Sequence, residues 1–171
     1  AVNFEILEKF KDHPDIKLFV IEKPFWNAEI KDEHILSYSN KCCINYFRKY
    51  LPFFQNLQKQ IQNNTFGPLI SCHIWYSKGL RNNGSHLIDL CNYFFKSTFN
   101  LNSICITNVL VDYIEKDPTI SFSIKYTINE KEFPVVFQAA DERFYSLIEM
   151  DLLFEKSRFR IFDFGHIIFM I

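Results

Sequence analysis

The chain has 171 residues, enough for one domain with a real core, and 48% of them are hydrophobic, including 20 Phe. That composition excludes a disordered chain. The 19 basic and 20 acidic residues are interleaved and sum to a net charge of -1, so there is no electrostatic footprint for nucleic acid or an anionic membrane.

The cysteines, Cys42, Cys43, Cys72, Cys91 and Cys105, are odd in number and form no C-x-x-C pair. This argues against a disulfide scaffold or a zinc site and for a reducing, cytoplasmic compartment. No apolar run reaches the roughly 18–20 residues that span a bilayer, and the opening AVNFEILEKFKDH reads as an amphipathic helix rather than a signal peptide. The chain starts inside that pattern without Met and stops in an apolar run at Ile171, so both ends are expected to be truncations.

In chain order, Val2, Ile6 and Phe10 stand at helical spacing over 2–12, and His13-Pro14-Asp15 ends the run. Ile16 to Ile21 is a continuous apolar run of strand length, as expected for a buried parallel strand. Glu22-Lys23-Pro24 follows at its carboxyl end, where open α/β sheets hold their ligands. A helical pattern spans about 30–38 and a short strand 41–46. Pro52 opens a helix striped by Phe53, Leu57 and Ile61, and Asn63 to Pro68 closes it. Leu69 to Tyr76 is a strand, Gly79 to Gly84 a loop, and Ser85 begins a helix with Leu87, Leu90, Cys91 and Phe94 on one face.

From about Ile104 the period becomes two. In 120–128, Ile120, Phe122, Ile124, Tyr126 and Ile128 share one face of a half-exposed strand. Residues 129–132 make a hairpin to 133–139, and further strands are expected over 144–154 and 158–164. The fold class is therefore α+β: a large, mainly antiparallel sheet with helices on one face, preceded by the last helix and strand of a Rossmann-type domain. The expected division is 1–24 for that remnant and 25–171 for the sheet domain. Trp75 and Tyr76 are adjacent on a strand, so one faces the core and the other the opposite side. An open sheet face of this kind also suggests a homodimer or homotetramer built through the sheet.

Two stretches carry the candidate chemistry: Glu22-Lys23-Pro24, and Asn82 to Asp89 (NNGSHLID). A Ser85/His86/Asp89 triad is disfavoured, because adjacent helical residues do not face one another and G-x-S-x-G is absent. A metal site at His86 and Asp89 lacks the remaining ligands. An imidazole suits proton abstraction near neutral pH, and a position at a helix start would favour its neutral form.

In this order, with Asn45 to Pro52 (NYFRKYLP) and the Gly67-Pro68-Leu69 turn between them, these stretches resemble the glucose–fructose oxidoreductase / inositol dehydrogenase / MocA (Gfo/Idh/MocA) family. The resemblance implies a Rossmann-type domain ending in E-K-P, then a substrate domain. It implies Lys23 and His86 as catalytic residues, Glu22, Lys23 and Pro24 beside the cofactor, and Asn82 toward substrate. Asp89, three residues after His86, could orient the imidazole, bind substrate or serve as a plain surface or capping residue, and Arg48 could clamp a substrate phosphate or carboxylate or form a surface ion pair. The implied cofactor is NAD or NADP, and the implied substrate a sugar or sugar nucleotide. The family usually has Asp four residues before the His, where this chain has Asn82. That departure leaves open a catalytically silent sugar- or sugar-nucleotide-binding or scaffold protein. The chain has only Gly67, Gly79, Gly84 and Gly165, so G-x-G-x-x-G does not occur in it. These residues alone are expected neither to hold NAD(H) tightly nor to turn over.

Overall fold

The structure, a computed structural model, describes residues 2–23, 40–97, 99–128 and 131–171. Pro24 and the helix expected over 30–38 lie outside the described residues. The chain divides into two compact units, Ala1–Phe47 and Arg48–Ile171.

In the first unit, α1 (Val2–Phe10) leads to β1 (Phe19–Ile21), which pairs in parallel with β2 (Cys42–Ile44). Because β2 hydrogen-bonds to β1, it belongs to the first unit, whereas the sequence reading closed that unit at residue 24. The strand is also shorter than the expected 16–21: Ile16 N–H bonds back to His13 C=O (3.2 Å), which keeps the start of the run in a turn. Burial picks a different side of α1 from the one read in sequence. Leu7 is 1% exposed and packs with Ile21, while Ile6 is 49% exposed.

A short 3-10 turn (Phe47–Tyr50) begins on the last residue of the first unit, and in the second unit α2 (Pro52–Gln62) follows it. Pro52 in the first turn presets φ and lacks an N–H that would have no helical partner there. β3 (Leu69–Tyr76), a π-helical turn (Gly79–Gly84) and α3 (Ser85–Phe95) follow. The remainder is strand: β4 (Phe99–Ile114), β5 (Asp117–Ile128), β6 (Lys131–Ala139), β7 (Ile148–Phe154), β8 (Arg158–Phe162) and β9 (Ile167–Met170). Among the described residues β3 to β9 form one seven-stranded sheet in the order β4-β5-β6-β3-β7-β8-β9. It is mainly antiparallel, as expected, with one parallel pair, β3 with β6. Between β3 and β6 the chain runs through α3, β4 and β5, the long crossover that a parallel pair requires.

One face of the sheet is buried under α2 and α3. Cys72, Ile74 and Tyr76 of β3, Ile124 and Tyr126 of β5, Val135 and Phe137 of β6, and Met150 and Leu152 of β7 meet Phe54, Leu57, Leu87, Leu90, Cys91 and Phe94 from the helices. Phe122 stacks on Phe137 with centroids 4.4 Å apart. In α2 the inward aromatic is Phe54, not Phe53, which is 36% exposed. Both residues stand at helical spacing to Leu57, so period alone does not choose between them.

In the second unit the largest departures from the expected strand bounds are in β4 and β7. β4 begins at Phe99, and its register with β5 shifts between Asn100 and Cys105. There Asn100 Oδ1 accepts the Asn102 N–H (3.0 Å) and Ser103 Oγ donates to Asn100 C=O (2.6 Å), a local turn built into the strand. β7 starts at Ile148 rather than 144 because Asp141 C=O takes the N–H groups of Phe144 and Tyr145 (3.0 Å each).

The ladder between β5 and β6 ends at Phe122 with Phe137, short of Ile120. The fully buried Tyr76 takes the missing place: its hydroxyl accepts the Ile120 N–H (3.0 Å) and donates to the Ile120 C=O (2.7 Å). Burial raises the Tyr76 phenol well above its ordinary value, so it stays a neutral donor and acceptor. Tyr76→Phe leaves two buried backbone groups unmatched. We expect it to fold with a loss of about 1–3 kcal/mol in chemical denaturation.

Candidate functional site

In the first unit, Glu22 and half-buried Lys23 follow β1 at its carboxyl end. Glu22 Oε1 accepts a hydrogen bond from Asn45 Nδ2 (2.5 Å), which ties the Glu22-Lys23 stretch to the chain leaving β2. The carboxyl end of a parallel pair is the edge at which open α/β sheets take ligands, and Glu22 and Lys23 stand at that end. A pyrophosphate seat of the G-x-G-x-x-G kind does not occur in these residues.

In the second unit, the loop expected over 79–84 is a π-helical turn running straight into α3. Such turns inside helices recur at functional sites. Its entry is sharp: Lys78 has φ +65° and Gly79 φ +84°. At Gly79 a Cβ would lie 2.4 Å from Asp117 Oδ2, so glycine is required by both conformation and space.

Because the π turn and α3 are continuous, His86 is not at a free helix start. The N–H groups that begin the helical run are those of residues 78–82, one to two turns earlier, and the effect of a helix dipole fades within its first turn. The dipole argument for a neutral imidazole is therefore corrected by the structure. His86 is 8% exposed, on the second residue of α3. Asn82 is half-buried on the π turn, four residues earlier and about one turn away.

The remaining candidates have engaged polar atoms. Asp89, on α3, receives Lys49 Nζ at 3.0 Å, and each side chain is 22% exposed. Burial raises the Asp89 carboxyl above its ordinary value, with Lys49 opposing that rise. Arg48 is 8% exposed, which does not fit a surface ion pair, and its Nε donates to Phe164 C=O (3.3 Å). Ser85 Oγ donates to Arg81 C=O (2.6 Å), a backbone role rather than a nucleophile's. Trp75 turns away from the helices, onto the outer face of the sheet. With Ser71, His73, Asp151, Leu153 and Arg158 it lines an open cavity of about 320 Å³.

Lys49 was not singled out in the sequence, since its partner is 40 residues away. Lys49→Met removes the counter-ion of a carboxylate that burial already disfavours. At neutral pH we expect a loss of about 1–3 kcal/mol, below the range for a fully buried pair because of the residual exposure. The loss shrinks as pH falls through the raised carboxyl pKa of the variant, because protonated Asp89 needs no counter-ion. Urea midpoints of both proteins across acidic and neutral pH measure this.

No protein-family profile matches the sequence, and no curated protein matches it. The chain is, however, similar to solved structures. An oxidoreductase from Sinorhizobium meliloti superposes with a TM-score of 0.71 at 8% identity, covering 90% of this chain and 50% of that one. The transcriptional regulator Gal80p from Kluyveromyces lactis gives 0.69 at 14% identity, covering 99% and 55%. A dehydrogenase (MviM) from Clostridium difficile gives 0.62 at 12% identity, covering 100% and 59%. The chain thus spans between 50% and 59% of the length of these structures. At such identities the likeness concerns the fold, and that fold is the one shared by the Gfo/Idh/MocA oxidoreductases and Gal80p.

Proposed function

We propose that this chain is part of a nicotinamide-dependent oxidoreductase that moves hydride to or from a hydroxyl-bearing carbon of a sugar or sugar nucleotide. The observation that carries the reading is His86: the histidine singled out in the sequence is held nearly buried just after a π-helical turn, within a fold shared with dehydrogenases. In this reading His86 takes the hydroxyl proton as general base. Lys23 supplies a cation to the same oxygen and stabilises the developing alkoxide. Asn82 donates or accepts a hydrogen bond at a substrate hydroxyl, with Arg48 and Asp89 shaping the pocket behind it. Glu22, Lys23 and Pro24 border the cofactor, NAD or NADP, whose chemistry when bound is to accept or donate the hydride. Without a glycine-rich phosphate turn the 171 residues alone do not turn over; the activity belongs to a longer protein. Assembly as a homodimer or homotetramer through the outer sheet face, and a cytoplasmic setting, are parts of the same proposal.

Asn82 supports a second reading, a catalytically silent sugar- or sugar-nucleotide-binding protein, and the similarity to the regulator Gal80p is in keeping with it. The two separate in the full-length protein, with NAD and NADP each offered alongside a panel of free and nucleotide-linked sugars. The oxidoreductase reading expects a change in nicotinamide absorbance that Lys23→Ala abolishes while circular dichroism stays unchanged. Normal turnover by Lys23→Ala would refute the role given to Lys23. Substrate-dependent thermal stabilisation without any absorbance change would select the silent reading.

A further inference from the structure

The helical run that carries Asn82 and His86 has no side-chain cap of its own. Its first N–H groups are instead taken by a distant segment, the β4–β5 hairpin. Asp117, the first residue of β5, accepts the Arg81 N–H at Oδ1 (2.8 Å) and the Asn82 N–H at Oδ2 (2.9 Å). Thr119 Oγ1, in a fully buried residue, accepts the Gly79 N–H (2.7 Å) and donates to Asp112 Oδ1 (2.7 Å). Asp112 Oδ2 then accepts the N–H groups of Lys78 (3.1 Å) and Glu142 (3.2 Å). Four backbone donors between 78 and 82 are thus held by three side chains of one hairpin, two of them carboxylates.

Carboxylates at the start of a helix are favoured both by the hydrogen bonds and by the helix dipole. Here the geometry also fixes a register. The two oxygens of Asp117 meet two consecutive N–H groups, so the π turn can neither rotate nor slide without breaking one of them. Gly79 allows the close approach, since any Cβ there would strike the Asp117 carboxylate. Four residues beyond Asn82, His86 inherits whatever orientation that register sets.

We propose that Asp117 is a positioning residue for Asn82 and His86, acting through the backbone of the π turn, with Thr119 and Asp112 as its support. The roles of Asn82 and His86 themselves rest on the oxidoreductase reading; their positioning by Asp117 does not.

The test uses the 171-residue chain and nuclear magnetic resonance. In Asp117→Ala the Arg81 and Asn82 amides should exchange about 10- to 100-fold faster, the loss expected for hydrogen bonds to a charged acceptor. The Cε1–Hε1 signal of the His86 ring should move as well. Asp117→Asn, which keeps one acceptor oxygen, should expose one amide and move the ring signal less. In the full-length enzyme the same pair should lower kcat in that order with KM changed little. If the amides exchange faster while the His86 signal and kcat stay at wild-type values, Asp117 is a stabilising cap only and the proposal fails. If Asp117→Ala does not fold, Asp117→Asn and Thr119→Val decide by the same His86 signal. Failure of the Lys23→Ala test would leave the resonance result standing, so the two inferences fall separately.

Discussion

The apolar inner face of the seven-stranded sheet must be covered, and the helix that covers its centre starts from the same strand it covers. The chain leaving β3 therefore has to reverse at once onto that face. A β-to-helix reversal this tight needs residues that tolerate positive φ, and it strands backbone N–H groups at the start of the helix. Lys78 and Gly79 provide the first and the β4–β5 hairpin satisfies the second. Tyr76, the last residue of β3, closes the same corner from below by bonding the β5 backbone at Ile120. Packing of α3 and placement of Asn82 and His86 are thus consequences of one reversal.

Much of this was legible in the sequence, for reasons that can be named. β3 runs over the residues read for it, because Gly67-Pro68 marks its start and the chain turns positive in φ just past its end. The apolar stripe Leu87, Leu90, Cys91 and Phe94 is the buried stripe of α3. Alternation in 120–128 put Phe122, Ile124 and Tyr126 on the face that is buried. What stayed hidden was direction and partnership. Alternation has the same period in parallel and antiparallel strands, so the β3–β6 pair could not be read. In α1 and α2 the choice between Ile6 and Leu7, or Phe53 and Phe54, is made by what lies opposite rather than by spacing. The π turn looked like a loop because two glycines bound it. Its helical character depends on Asp117, which lies 35 residues away from Asn82.

The same distinction governs the candidate site. Glu22, Lys23, Asn82 and His86 were singled out because they lie in short motifs, and motifs are local. Lys49 and Asp117 were not, since each acts on a residue remote in sequence. Lys49 matters because Asp89 lies one turn beyond His86 on α3. The Lys49 ammonium bonds Asp89 Oδ1 and offsets the burial that disfavours the charged carboxylate.

Asn82 gains a physical context from the same hairpin. Its backbone N–H is held by Asp117 Oδ2 (2.9 Å), and its amide keeps donor and acceptor capacity toward a substrate hydroxyl. On the oxidoreductase reading it also removes the proton acceptor that a carboxylate relay at this position would use, which leaves His86 as the proposed base. The register held by Asp117 then bears on the orientation of that imidazole toward a substrate hydroxyl.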